Sequence, residues 1–198
     1  MARTAHKELT RQRLLDQGVT LLMERGYHGT GLKDILAGVR VPKGSFYNYF
    51  ASKEEFSAEV IRHYIEPFVR QLDDSLKRPE VDALTALKDY FRSLIAELER
   101  RRFVGGCLLG NLIGEISDTN ATCLAALRDA VHRYRDQLER GLAKAQREGT
   151  VRTDLSAAAM ADLLADAWQG ALLRMKVERS VWPLEALVGH LLEGYFRA

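Results

Sequence analysis

The sequence predicts an all-α protein of nine helices, three short at the front and longer ones behind. Apolar residues recur at helical spacing through almost every segment. Strand-type alternation is absent. Only four prolines occur in 198 residues, and glycines and capping residues stand where helices should begin or end.

The elements follow in order. In residues 9–25, Leu15, Val19 and Leu22 share one helical face, and Gly26 supplies the stop. Thr30 is placed to cap a second helix whose Leu32, Ile35, Leu36 and Val39 face one way, with Gly38 near its end. Pro42 opens a third helix, 42–50, in a first turn that needs no N–H from it. Phe46 and Phe50, four apart, face inward. Ser52-Lys53-Glu54-Glu55 has the capping-box pattern and starts a helix over 53–75. Pro79 restarts the chain for a helix over 81–102, which Gly105-Gly106 ends. A short apolar helix follows over 107–116. Ser117-Asp118-Thr119-Asn120 reads as a turn carrying cap candidates. A long helix then spans 121–147 and stops at Gly149. Asp154 and Ser156 are cap candidates for the eighth helix, to about residue 179. Pro183 lies in the first turn of the last. No internal repeat or low-complexity linker interrupts the chain.

Composition narrows the class. Hydrophobic residues at 46% can build a sizeable core, and charged residues at 28% fit an ordinary soluble protein. No apolar run reaches the length of a membrane-spanning helix. The basic N-terminus lacks the apolar segment of a secretory signal. Cys107 and Cys123 do not make a disulfide scaffold, so a cytoplasmic location is expected. If consecutive helices run antiparallel, the two thiols lie on the order of 15 Å apart, beyond bonding reach. His6, His28, His63, His132 and His190 are dispersed without metal-ligand spacing. No phosphate loop or nucleophile elbow occurs. No metal, cofactor or enzymatic activity is expected.

Charge is unevenly spread. Residues 1–53 hold nine Lys/Arg and four acids, a net +5, while residues 54–198 carry −3. A basic front end suggests a polyanionic partner. Two short helices joined through Gly38-Val39-Arg40-Val41 match a helix-turn-helix, whose second helix enters the DNA major groove. On that helix Lys43, Ser45, Tyr47 and Asn48 lie largely away from the Phe46–Phe50 face, and Gly44 permits close backbone approach. Lys43 supplies a cation, Ser45 and Tyr47 suit phosphate, and Asn48 suits a base edge or phosphate. Lys53 can add a phosphate contact at a helix N-terminus. Spacing leaves Tyr49 open between core and contact. The competing reading is an aromatic-rich helical hairpin without nucleic acid.

The segment TGLKDILAGVRVPKGSFYNYFASKEEF, with Gly26-Tyr27 before it, resembles the signature of the TetR family of one-component repressors. The shared elements are Asp34-Ile35, Lys43-Gly44-Ser45, Tyr47 to Phe50 and Ser52-Lys53-Glu54. The resemblance implies a three-helix DNA-binding head over 1–52 and a ligand-binding and dimerisation body over 53–198. It implies double-stranded operator DNA as a partner, with Thr30, Lys43, Gly44, Ser45, Tyr47, Asn48, Tyr49 and Lys53 at the DNA face. Many relatives carry His near the positions of Asn48 and Tyr49.

It also implies a homodimer. One apolar stripe holds Leu163, Leu164, Ala167, Trp168, Ala171, Leu172 and Met175, with Gly170 and Ala171 small enough for close approach. The last helix holds Leu184, Leu187, Val188, Leu191, Leu192 and Tyr195. Spacing alone reads these equally as monomer core; the resemblance makes them a four-helix interface.

Cys107 follows Gly105-Gly106 at a helix start, with Arg100, Arg101 and Arg102 nearby. A thiol there can serve as a nucleophile or as inert packing. GCLLGNLIGEISD and WQGALLRMKVERSVWPLEAL resemble a TetR subgroup that includes the repressor of N-ethylmaleimide reductase and the acrylate-responsive repressor. That resemblance implies a sensing Cys107 with Lys176 as its polar partner; Asn111 and Trp168 are further expected members of the sensor set. Cys123 reads as structural. The expected inducer is a small molecule or an electrophile. The alternatives are a regulator of a non-covalent apolar ligand with an inert Cys107, or a helical enzyme or scaffold without DNA binding.

Overall fold

A computed structural model describes residues 2–116 and 120–198, apart from the side chains of residues 2–4 and of Lys43. Ser117, Asp118 and Thr119 of the expected turn lie outside the described residues. The helices are α1 (Ala2–Arg25), α2 (Leu32–Val39), α3 (Lys43–Phe46), α4 (Lys53–Leu76), α5 (Ala83–Arg100), α6 (Leu108–Ile116), α7 (Ala121–Arg147), α8 (Ala157–Glu178) and α9 (Trp182–His190). A π-helical turn, Leu191–Tyr195, continues α9. The all-α, nine-helix expectation is met among the described residues.

Local hydrogen bonds explain most helix starts. Ser52 Oγ accepts from the Glu55 N–H at 3.1 Å, and the Glu55 carboxylate accepts from the Ala51 N–H at 2.7 Å. Ser156 caps α8 by accepting from the Ala159 N–H at 3.1 Å, while Asp154 pairs with Arg152 instead. Asn120 caps α7, accepting from the Cys123 N–H at 2.9 Å. At α2 the cap is Gly31, not Thr30. The Thr30 hydroxyl turns back to the end of α1, donating to Gly26 O at 2.7 Å and Leu21 O at 3.2 Å. Those carbonyls at a helix C-terminus need donors. The left-handed residue ending α2 is Arg40 (φ 57°). Pro67 stands inside α4, where it has no N–H to give the His63 carbonyl.

Asp82 caps α5, accepting from the Thr85 hydroxyl at 2.7 Å and the Thr85 N–H at 3.0 Å. These bonds hold its carboxyl below the usual aspartate range. The folded pKa is lowered, so the stabilisation is complete above the unfolded value and is lost as pH falls through the folded one. Asp82→Ala is expected to cost about 1 kcal/mol at neutral pH. Urea midpoints of wild type and variant should converge as pH drops from about 5 to about 2. A gap independent of pH would contradict this role.

Contacts divide the chain into two units. One is Met1–Glu66 with Cys107–Val131, and the other is Pro67–Gly106 with His132–Ala198. The divisions therefore cut through α4 and α7. In the first unit, Leu14, Leu22, Ile35, Leu36, Val60 and Ile61 are buried around three phenylalanines. Phe46, Phe50 and Phe56 have ring centroids 4.9–5.5 Å apart. In the second, Leu87, Leu138, Leu142, Leu164 and Leu184 are buried. Phe91 packs on Trp168 at 4.7 Å, and Tyr90 lies 6.4 Å from Tyr134. The chain end is tied down by the Arg152 N–H to Phe196 O at 3.0 Å.

Helix α8 is apolar on two faces. Leu164, Trp168, Ala171, Leu172 and Met175 belong to the core of their own unit, while Leu163 is exposed. Leu173 (58% exposed) and Val177 (84% exposed), absent from the expected stripe, extend that outer face. On α9, Leu184 and Val188 are core residues, as is Leu192 in the turn that follows, whereas Trp182 and Tyr195 are exposed.

Candidate nucleic-acid interface and sensor segment

The segment over 42–50 is shorter than the full helix expected there. Pro42 is the N-cap of α3 with extended backbone (φ −60°, ψ 142°), a position where its missing N–H costs nothing. Ser45 N–H bonds to Pro42 O, Asn48 N–H to Ser45 O, and Tyr49 N–H to Phe46 O. These three-residue steps tighten the expected 42–50 helix into one α-turn and a following turn. Gly44, a poor helix former, favours so short an element.

The turn sorts its side chains sharply. Phe46 and Phe50 are buried, whereas Tyr47 is 56% exposed. Asn48 and Gly44 are exposed, and Ser45 is half-buried. A Cβ built at Gly44 would meet nothing within 4 Å. Tyr49 is half-buried with Lys7 Nζ 5.8 Å from its ring centre. The Lys43 side chain lies outside the described residues. Thr30, expected at the DNA face, is fully buried, its hydroxyl turned to the carbonyls of Leu21 and Gly26. Lys53 donates to Tyr27 O at 2.7 Å and lies 4.2 Å from the Tyr27 ring centre. Burial lowers its pKa, partly offset by Glu54 and other acidic neighbours.

Of the sensor set, Cys107 and Asn111 belong to the first unit, and Trp168 and Lys176 to the second. Cys107 is half-buried, and its carbonyl accepts from the Asn111 N–H at 3.0 Å, opening α6. Asn111 Nδ2 reaches Met23 Sδ at 3.5 Å, against α1. Cys123 is fully buried, and its thiol donates to Glu54 O at 3.5 Å. Burial pushes its pKa up to about 11, so it carries no thiolate at neutral pH.

In the second unit, Arg102, Phe103, Gly105 and Gly106 all have positive φ, so the segment leading to Cys107 is wound left-handed. Gly106 is glycine for two reasons: its φ is 74°, and a Cβ would sit 3.1 Å from Lys176 Cδ. The Lys176 stem thus lies close to the Gly106 backbone. Arg100 and Arg101 both pair with Glu97.

A second cluster escaped sequence reasoning. Tyr27, in the turn after α1, donates its N–H to Glu115 Oε2 at 2.8 Å and its hydroxyl to Glu54 at 3.3 Å. It also accepts from Asn120 Nδ2 at 3.3 Å. Only Gly26-Tyr27 carried a local signal. Glu115, 88 residues further on, carried none.

Among the described residues, no three His, Cys, Asp or Glu side chains gather as a metal site, and no helix could cross a membrane. A helix-turn-helix presenting exposed polar and aromatic groups, within an otherwise helical chain, is the build of a one-component transcriptional regulator. The family model for bacterial regulatory proteins of the tetR family matches residues 14–60, and that for the tetracyclin repressor-like C-terminal domain matches residues 83–191. The HTH-type transcriptional repressor DhaR of Mycobacterium sp. (strain GP1) is 35% identical over 193 residues, 98% of this chain and 93% of the relative. The transcriptional regulator AcuR of Cereibacter sphaeroides is 34% identical over 181 residues, 90% of this chain and 81% of the relative. The crystal structure of the reduced form of Escherichia coli NemR matches with a TM-score of 0.88 at 28% identity, covering 96% of this chain and 98% of that one. The chain belongs to the TetR family of transcriptional regulators and is closely related to NemR and AcuR.

Proposed function

We propose that this protein is a homodimeric repressor that reads a palindromic operator with residues 42–50 of each protomer and releases it when Cys107 is modified by an electrophile. Residues 1–52 form the reading head, and residues 53–198 form the dimerisation and sensing body. Exposed Tyr47 and Asn48, over a rigid phenylalanine base, support the DNA face. Lys43, Gly44, Ser45 and Tyr49 complete it; of the other two expected there, Thr30 bonds to the Leu21 and Gly26 carbonyls and Lys53 to the Tyr27 carbonyl. The exposed Leu163, Leu173 and Val177 of α8 support an isologous interface between two copies. Half-sites then lie roughly one helical turn or more apart.

The observation that carries the sensing step is the position of Cys107. It opens α6, and the same helix belongs to the unit that contains the DNA-reading turn. In the modification, sulfur adds to an electron-poor alkene carbon, forming an S–C bond, and the neighbouring carbon takes a proton. Lys176 is the polar partner in this reading, with Asn111 and Trp168 in the same set. Release needs the modified form to prefer a non-binding geometry by about 3 kcal/mol to weaken the operator more than a hundredfold.

The test is a gel shift with the DNA flanking the protein's own gene, with and without N-ethylmaleimide. Wild type should lose about a hundredfold in affinity on alkylation, and Cys107→Ser should be indifferent. Complete alkylation of Cys107 with unchanged operator binding would overturn the sensing role. A second reading, a non-covalent apolar ligand with an inert Cys107, draws on the aromatic cluster of Tyr90, Phe91, Tyr134 and Trp168. It predicts that Cys107→Ser still responds to inducer.

A further inference from the structure

The geometry points to Glu115 as a positioning residue for DNA recognition: its carboxylate, carried on α6, holds the turn between α1 and α2 and thereby sets the orientation of the reading pair. Both the Tyr27 N–H (2.8 Å) and the His28 N–H (3.3 Å) donate to Glu115 Oε2. Successive amides converging on one oxygen form an anion-binding concavity, and hydrogen bonds to an ionised acceptor are the stronger kind.

Gly26 makes the concavity accessible. Its φ is +70°, and a Cβ there would lie 2.2 Å from Glu115 Oε1. The same turn is gripped on its other sides. Lys53 takes the Tyr27 carbonyl, while Glu54 and Asn120 take the Tyr27 hydroxyl. All these residues lie in one unit.

Glu115 stands in the last turn of α6, the end of a helix where a negative charge is disfavoured by the macrodipole. Its placement is therefore not explained by the stability of its own helix. It is explained by the two amides it receives. The turn leads directly into α2, whose Ile35 and Leu36 are buried in the core of the unit. Helix α3 follows after Arg40, so a shift of the turn carries the reading surface with it.

The functional arm of this inference rests on the operator reading above; the latch does not. The full-length protein is tested as Glu115→Gln and Glu115→Ala. Neutralising a carboxylate makes the protein more positive, so electrostatics alone would tighten binding to every duplex. A positioning role predicts the opposite for the operator: a loss of about tenfold or more, with unchanged or tighter binding to unrelated DNA. Equal tightening on both duplexes would overturn the inference.

A DNA-free measurement accompanies it. Hydrogen exchange at the Tyr27 and His28 amides should quicken about tenfold or more in both variants, while amides of α5 and α8 keep their wild-type rates. Wild-type exchange at those two amides would also overturn it. Gly26→Ala attacks the same contact from the other side and should reproduce the result. Failure of wild type to bind the flanking DNA would count against the operator reading, and the exchange arm would still decide the latch.

Discussion

Operator affinity is expected to fall about a hundredfold or more when Tyr47 and Asn48 are both replaced by alanine, because a base-edge contact is worth about 1–3 kcal/mol and each protomer of the dimer loses the pair. Both residues are exposed, Tyr47 at 56%. Neither is fixed by a side-chain hydrogen bond that anchors the fold. Stability should therefore change by no more than about 0.5 kcal/mol. The measurement is a titration of labelled operator against unrelated duplex at one salt concentration, beside a denaturation curve of the same variant. The loss should be larger on the operator than on unrelated duplex, since Asn48 suits a base edge while Tyr47 suits phosphate, which both duplexes offer. A double variant that still binds the operator within threefold would remove the turn from the reading surface.

The opposite behaviour is expected three residues on. Phe50 is 1% exposed and packs against Phe56 at 4.9 Å and Phe46 at 5.5 Å. Phe50→Ala should cost about 3–5 kcal/mol, the lost transfer energy plus the cavity that rigid neighbours fail to fill. Against a total stability of about 5–15 kcal/mol, that is enough to leave the head partly unfolded near physiological temperature. The variant should lose binding to operator and to unrelated DNA together, and its urea midpoint should drop accordingly. A destabilisation below about 1 kcal/mol would mean that the phenylalanine cluster does not anchor the turn. The two variants thus separate reading from support within one short stretch.

Helix positions were legible because the forces that set them are local. The Ser52–Glu55 cap, the Ser156 cap and the α7 boundaries depend on bonds spanning three or four residues, and the residue types that make them are few. The inward pair Phe46 and Phe50 follows from spacing alone, as does the outward pair Tyr47 and Asn48. Expectation and structure parted where a side chain had two possible partners. Thr30 stands in the right place to cap α2 but bonds to the carbonyls of α1, which are nearer once the turn has closed. Lys53 stands at a helix start that suits a phosphate but meets the Tyr27 carbonyl. Helix α8 reads as a single apolar stripe, yet Leu172 is buried and Leu173 beside it is exposed.

The chain's own order of residues was therefore enough for the helical class, the family motif, the inward and outward faces of residues 46–50 and the position of Cys107 at a helix start. Each rests on periodicity, on capping within one turn, or on residue types at fixed short offsets. Folding alone chose which face of α8 stays outside and which amides receive Glu115. It also drew α6 and the start of α7 into one unit with α3. Those outcomes depend on contacts between residues up to 93 positions apart, for which no local pattern of side chains carries a signal.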